Sequence, residues 1–243
     1  MKNGITALKI TFDFGCGPDC IYPAALCSDE DVYLVDCGYA GFLPLIEDAM
    51  RGAGLEPGAL AGVIITHHDH DHMGSLAALR AKYPRVKVYA SAVEAEYISG
   101  RRKALRLEQA EALQPALPED ARAGGEAFIS LLKGVAPVPV DVTLRGGDVL
   151  DICGGCEVVD TPGHTPGHIS LYLPAHGTVV TGDAMVLEQG RPAVANPQFA
   201  FDLHAARASL ESLLGLDATR YICCHGGELL LDKTGERTCR FSG

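Results

Sequence analysis

A short apolar run at residues 62–66, G-V-I-I-T, gives way without a spacer to H-H-D-H-D-H at residues 67–72. Four histidines (His67, His68, His70, His72) and two aspartates (Asp69, Asp71) fill six consecutive positions. An apolar run of this length suits a buried strand, which takes about 4–8 residues, better than a buried helix of about 10 or more. Residues 75–82 then carry a helical pattern, so the cluster is expected on a loop between a strand's C-terminal end and a helix. Layered α/β folds place ligand chemistry at such loops.

The rest of the chain repeats this grammar. Strands are predicted at 6–14, 24–27 and 32–37, a helix at 43–53 closed by Gly54, and a strand at 86–90. From about 93 to 133, Glu, Ala, Leu, Arg and Gln dominate at helical spacing, broken near Pro115 and Pro118. This stretch reads as a helical insert, either a lid over a pocket or a plain connecting hairpin. Strands follow at 138–144, 149–152, 157–160, 169–173 and 178–181, then a helix at 203–214, a strand at 220–224 and a polar tail. With no linker in view, residues 1–243 are expected to form one α/β domain of four layers (α+β), two mixed sheets face to face with helices outside.

Composition narrows the partners. A net charge of −11, with no basic cluster beyond Arg101, Arg102 and Lys103, argues against nucleic acid. No apolar run approaches the roughly 20 residues of a membrane span. The N-terminus alternates like a strand and lacks the apolar core of a signal peptide, so a cytoplasmic protein acting on a small molecule is expected. The nine cysteines are scattered, which fits free thiols in a reducing compartment. Cys16 with Cys20 and Cys153 with Cys156 could make a structural zinc site. The C-G-G-C pair is more simply a Gly-Gly turn between two strands. Cys223 and Cys224 end an apolar strand and read as a packed pair of small hydrophobes.

Histidine recurs at two other strand ends. D-T-P-G-H-T-P-G-H spans residues 160–168, with His164 and His168, and C-C-H-G-G spans 223–227, with His225. Between them T-G-D-A supplies Asp183. A single histidine after a strand is usually a hydrogen-bonded surface residue. Several rigid loops that each offer an imidazole or a carboxylate are what a metal site requires.

In this order the blocks resemble the metallo-β-lactamase superfamily, whose signature runs T-H-x-H-x-D-H-x-G, T-P-G-H-T-x-G-H, G-D and a late H-G. Thr66, His67, Asp71, His72 and Gly74 match the first block, and His164, Asp183 and His225 the others. Leu34 to Gly38 (L-V-D-C-G) looks like the family's early L-I-D-T-G strand end. The resemblance implies an αβ/βα metallo-β-lactamase sandwich and two divalent metal ions, zinc first, with manganese(II) or iron(II) as alternatives. It places one metal on His67, His164 and a residue from the middle of the cluster. The other falls to Asp71, His72 and His225, with Asp183 bridging.

Where the family has a second histidine, this chain has Asp69. His68 or His70 could substitute for it. If the chain leaves the strand extended, residues 67, 69 and 71 face one way and 68 and 70 the other, which favours Asp69 as an oxygen ligand. His68, His70 and His168 then stand behind the ligands or in the pocket.

The resemblance implies a hydrolase that uses a metal-bound hydroxide on a small ester, lactone or thioester, with Asp71 orienting the nucleophile as catalytic residue. Three alternatives share the sequence: a phosphodiesterase or phosphotriesterase on the same dinuclear site, a mononuclear iron persulfide dioxygenase using His67, His164 and Asp183, and a non-catalytic metal-binding module. Candidate pocket residues are Tyr22, Tyr97, Phe128, Phe199, Phe201, Arg101 and Arg102, although each is more often core or ordinary surface.

Overall fold

The computed structural model describes residues 4–15 and 17–231 and the backbone of 237–240. The first half carries β1 (Gly4–Ala7), β2 (Ile10–Asp13), β3 (Pro18–Ile21), β4 (Ala24–Ser28), β5 (Asp31–Val35), β6 (Leu60–Ile64), β7 (Lys87–Ser91) and β8 (Val142–Leu144). The second half carries β9 (Val149–Leu150), β10 (Cys156–Asp160), β11 (Ile169–Leu173), β12 (Thr178–Val180), β13 (Val186–Glu188) and β14 (Arg191–Ala193). It ends with β15 (Arg220–Cys223), β16 (Gly227–Leu231) and β17 (Arg237–Arg240). The longer helices are α1 (Leu43–Gly52), α2 (His70–Met73), α3 (Leu76–Lys82), α4 (Ala92–Ile98), α5 (Leu105–Leu113), α6 (Glu119–Lys133) and α7 (Leu203–Leu214).

Two sheets form the centre, in the orders β1-β4-β5-β6-β7-β8 and β17-β16-β15-β12-β11-β10-β9. Ala24, Leu26, Val35 and Ile64 of the first meet Val158, Leu171, Val180 and Ile222 of the second in one buried cluster. The outer face of the first sheet is covered by Ile46 and Met50 of α1, Leu76 and Leu79 of α3 and Ile98 of α4. Leu213 of α7 packs with Val179, Tyr221 and Leu229 behind the second. The result is the expected four-layer sandwich. Burying each of these large side chains contributes roughly 1.5–3 kcal/mol before entropy is counted.

Strand direction positions the chemistry. β5 through β8 run parallel, so their C-terminal ends share one edge. In the second sheet β12 is parallel to β15, and β10 shares their direction because β11 is antiparallel to both β10 and β12. The loops after β6, β10, β12 and β15 supply every residue of the two donor groups described below.

Several sequence expectations shift. The strand expected at 6–14 is split into β1 and β2, which join different sheets. Of residues 138–144 only β8 pairs with a neighbour. The polar tail instead begins with β16, which pairs with β15, and β17 extends the same sheet. The pattern G-E-L-L-L was legible as a strand only once a partner edge existed. A hairpin of β13 and β14 was also missed.

C-G-G-C is a turn between β9 and β10, with Cys153 at φ 53° and its thiol 2.9 Å from the Cys27 carbonyl. Cys16, half of the other candidate zinc pair, lies outside the described residues. Among the described residues no helix is long and apolar enough to cross a membrane.

Candidate metal centre

The loop after β6 stays extended only as far as Asp69, which precedes the single helical turn of α2. The premise that the chain runs extended through Asp71 therefore fails, because His72 N and Met73 N already bond back to the Asp69 carbonyl. Its consequence for residues 67–69 survives: His67 and Asp69 face the site, and His68 faces away. Asp71 and His72 reach the site from the helical turn instead. Gly74 closes that turn where a Cβ would sit 2.3 Å from the Ala40 backbone nitrogen, an approach open only to glycine.

Two of the resulting groups of donor atoms share His67. His67, Asp69 and His164 bring one ligand atom each within 4.8 Å of one another, as do His67, His72 and Asp183. His164 Nε2 stands 3.2 Å from Asp69 Oδ2, and His225 Nε2 stands 3.2 Å from Asp71 Oδ2. Asp183 reaches from the second group toward the first. Its Oδ2 is 3.6 Å from His164 Nε2, while Oδ1 is 3.3 Å from His72 Nε2 and 3.7 Å from His225 Nε2. All seven predicted ligand positions are thus brought together.

Hydrogen bonds fix the imidazole tautomers. Asp36, at the end of β5, accepts from Thr66 N at 2.8 Å, from Thr66 Oγ1 at 2.8 Å and from His72 Nδ1 at 2.8 Å. Since the Thr66 hydroxyl donates to Asp36, it accepts from His67 Nδ1 at 3.0 Å. Both His67 and His72 therefore turn Nε2 inward. Neither Nε2 has a hydrogen-bond partner, nor does Asp183 Oδ1, although all three residues are buried. Buried polar atoms without partners are costly. A cation shared among two imidazoles and a carboxylate satisfies them, so the residues fit a divalent metal.

His168 does not join them. Asp183 N donates to its Nε2 at 2.9 Å, its Nδ1 donates to Thr161 Oγ1 at 2.8 Å, Thr161 donates to Ser170 Oγ at 2.9 Å, and Ser170 donates to the Thr181 carbonyl at 2.8 Å. Both ring nitrogens are committed, and the chain of bonds holds Asp183 in place. Gly182 allows this at φ 53°, where a Cβ would lie 2.6 Å from His168 Nε2.

Burial, with His72 and His164 nearby, pushes His67 well below the ordinary imidazole range. Burial and the charge of His164 drive His168 down to about 3. Burial alone would raise Asp69, but the His164 hydrogen bond and the charges of His67 and Arg106 hold it well below the carboxylate range. Asp71 is likewise lowered to about 2, because His72 and His225 outweigh its burial. A field of ionised carboxylates facing imidazole nitrogens suits a cation.

Three residues that sequence reasoning missed complete the site. Arg106 of α5 places Nη2 2.9 Å from Asp69 Oδ2, with its guanidinium over the Phe199 ring at 4.9 Å. Glu94 of α4 is fully buried and ties two loops together. It accepts from His68 N at 2.9 Å, His68 Nδ1, Thr165 Oγ1 at 2.8 Å and Gly167 N at 2.9 Å. His68, stacked on Tyr97, is therefore a fastener. Cys224 is the third: its thiol lies within 4.8 Å of donor atoms of His72 and His225, so it is not simply one of a packed pair.

His70 is partly exposed and meets Tyr39 and Phe128 edge-on. It borders a cavity of about 250 Å³ over Asp69, Asp71 and Asp183, with Arg106, Phe128 and Phe199 among its walls. Tyr22 is buried in the core, and Arg101 pairs with Glu96.

Comparison with known proteins agrees with this geometry. The sequence profile of the Metallo-beta-lactamase superfamily matches residues 23–225. The chain is 28% identical over 214 residues to the probable metallo-hydrolase YflN of Bacillus subtilis, covering 79% of this chain and 74% of that one. It is 27% identical over 169 residues to a hydroxyacylglutathione hydrolase of a Synechococcus strain, covering 68% of this chain but only 49% of that enzyme, so the match spans about half of that relative's length. Its fold superposes on that of a metallo-beta-lactamase family protein of Thermus thermophilus with a TM-score of 0.71, at 24% identity, covering 93% of this chain and 74% of the other. Signature loops, inward-facing imidazoles and sandwich architecture converge on one assignment, and the chain belongs to the metallo-beta-lactamase superfamily of metal-dependent hydrolases.

Proposed function

We propose that the chain hydrolyses a short-chain acyl thioester, ester or lactone in the cytoplasm, with two divalent metals, zinc foremost, held by His67, Asp69 and His164 on one side and Asp71, His72 and His225 on the other. The observation that carries this reading is Asp183, whose two oxygens face the two donor groups at 3.3–3.7 Å. A carboxylate so placed would serve both donor groups if each held a metal. When bound, the metals supply Lewis acidity and bring the pKa of a water molecule toward neutrality.

The chain's own groups do the rest. Asp71, ionised and 3.2 Å from His225, accepts a hydrogen bond from the attacking water and orients it. Leu113, Leu117, Phe128 and Phe199 form an apolar wall that takes a small acyl group and excludes bulk water. Arg106 and Gln109 give that wall a polar edge for a carbonyl or carboxylate oxygen. Helices α5 and α6 form one side of the cavity, which supports the lid role for the insert. The acyl-thioester preference draws on the hydroxyacylglutathione hydrolases among the relatives.

Metal-stripped protein, reloaded with zinc, is to be assayed on short acyl thioesters, lactones and an aryl phosphodiester. Faster turnover of an acyl substrate is expected, and preference for the phosphodiester overturns the reading. One observation favours a second reading: His67, Asp69 and His164 alone make a 2-His-1-carboxylate set, the donor set of non-haem iron(II) oxygenases. One iron per chain in protein purified without added metal, with oxygen consumed on a persulfide, would establish it instead.

A further inference from the structure

Cys223 and Cys224 point to opposite sides of the second sheet. Cys223 packs in the cluster with Leu213 and Tyr221 beneath α7, whereas Cys224 belongs to the cluster that contains Ile21 and Cys37. Its backbone carbonyl accepts from Tyr22 N at 2.9 Å, and the adjoining His225 bridges to Ile21, so the strand end is held on both sides. This leaves the Cys224 thiol buried, with its sulfur, a His72 nitrogen and a His225 nitrogen all within 4.8 Å of one another.

A cysteine beside histidines is not in itself a ligand. The second observation is the state of its neighbours. His72 is fully buried, its Nδ1 is occupied by Asp36, and its Nε2 has no hydrogen-bond partner. Asp183 Oδ1, 3.3 Å from that nitrogen, has none either. Two unmet buried lone-pair atoms, next to a thiol and a second imidazole, mark a position for a cation.

We propose that Cys224 is a further donor to the second metal position, beside Asp71, His72 and His225. This extends the two-metal reading above and rests on it. As the metal–sulfur bond forms, the thiol proton leaves to solvent and the thiolate supplies the electron pair. The two positions then differ in kind. The second offers nitrogen, oxygen and sulfur and selects a thiophilic ion such as zinc or cobalt(II), while the first, His67–Asp69–His164, offers nitrogen and oxygen only and admits manganese(II) or iron(II).

Metal-stripped full-length protein is to be titrated with cobalt(II) and followed in the near ultraviolet and the visible. The expected result is an intense thiolate-to-cobalt charge-transfer band that saturates with one of the two equivalents. The band is lost in Cys224→Ser and retained in Cys37→Ser. The zinc-loaded wild type provides a test independent of any variant: X-ray absorption should show a sulfur scatterer at about 2.3 Å. Cobalt bound with visible ligand-field bands but no charge-transfer band overturns the Cys224 proposal and leaves the metal centre standing. A band that survives Cys224→Ser also overturns it. Failure to bind cobalt at all overturns the metal-centre reading and this inference with it.

Discussion

Arg106 Nη2 stands 2.9 Å from Asp69 Oδ2, so the carboxylate that occupies a histidine's place in the family signature has a cation of its own. Exchanging a neutral imidazole for aspartate adds one negative charge to a buried site. Arg106 returns one positive charge at hydrogen-bond distance, and Phe199 holds its guanidinium plane from the other side. The two residues form a compensated unit. Asp69→His alone sets an imidazole against the guanidinium and is expected to weaken the first metal position by about 10–100-fold, the usual cost of disturbing a ligand's surroundings. Asp69→His with Arg106→Met should recover much of that loss. Chelator competition on all four members of the double-mutant cycle measures the coupling, and additive losses would show that the two residues act separately.

The neighbours of Asp69 make a sharper contrast. Asp69→Ala removes an oxygen donor from the His67–Asp69–His164 group and should empty the first metal position. His70→Ala should leave metal content largely unchanged, because its ring packs edge-on against Tyr39 and Phe128 and approaches only Asp71 among the donor groups, at 3.4 Å. His68→Ala should retain the metals but lower thermal stability, since Glu94 loses its imidazole partner. Metal content after gel filtration, with melting temperatures beside it, separates the three. Loss of metal from the His70 variant would show that the loop rearranges around that residue when metal binds.

The candidate donor positions were legible in the sequence because each follows a strand in a polar, histidine- or aspartate-bearing segment. Strand direction then brought them together without further specification. What surrounds them was not legible. Asp36 reaches His72 across 36 positions, Asp69 meets Arg106 across 37, and Glu94 grips Gly167 across 73. Glu94 and Arg106 look like ordinary helix residues, and only the crossover packing of α4 and α5 turns them inward. Cys224 resembled its neighbour Cys223 until pleat alternation sent the two thiols to different sides of the sheet. The short helical turn at α2 was hidden for a similar reason. It requires Gly74 to lie against Ala40, a close approach set by distant chain packing.

Glu94 provides the third prediction. One buried carboxylate satisfies donors from the loop after β6 and from the loop after β10, and it thereby sets the distance between His67 and His164. Glu94→Ala strands several buried donors, each worth about 1–3 kcal/mol, so marked destabilisation or failure to fold is expected. Glu94→Gln keeps the shape but replaces one acceptor oxygen with an NH2 group that faces an N–H or O–H donor. It should fold with a lowered melting temperature and bind the first metal more weakly than the second. Stability equal to wild type in both variants would mean that water replaces the carboxylate without cost.

Away from the site, Glu47 of α1 predicts how the fold responds to acid. Its side chain is buried, and it accepts from Tyr83 Oη at 2.6 Å, from Lys82 Nζ at 2.5 Å and from Arg51 Nη2 at 3.3 Å. Burial opposes ionisation, but the hydrogen bonds from Lys82 and Tyr83 and the charge of Lys82 prevail, so Glu47 sits below its ordinary 4.5. A carboxyl lowered on folding contributes stability that is complete above the unfolded value. That contribution is lost as pH falls through the lower, folded value. Glu47→Gln removes the charge, and at neutral pH it should cost about 1.5–3 kcal/mol, the range for hydrogen bonds to an ionised group. Urea denaturation of metal-stripped wild type and variant, compared from about pH 7 down to about pH 3, should give a constant gap above about pH 5 that narrows below it. A gap that stays constant into acid would mean that Glu47 acts by packing alone, and a gap that widens would reverse the sign argued here.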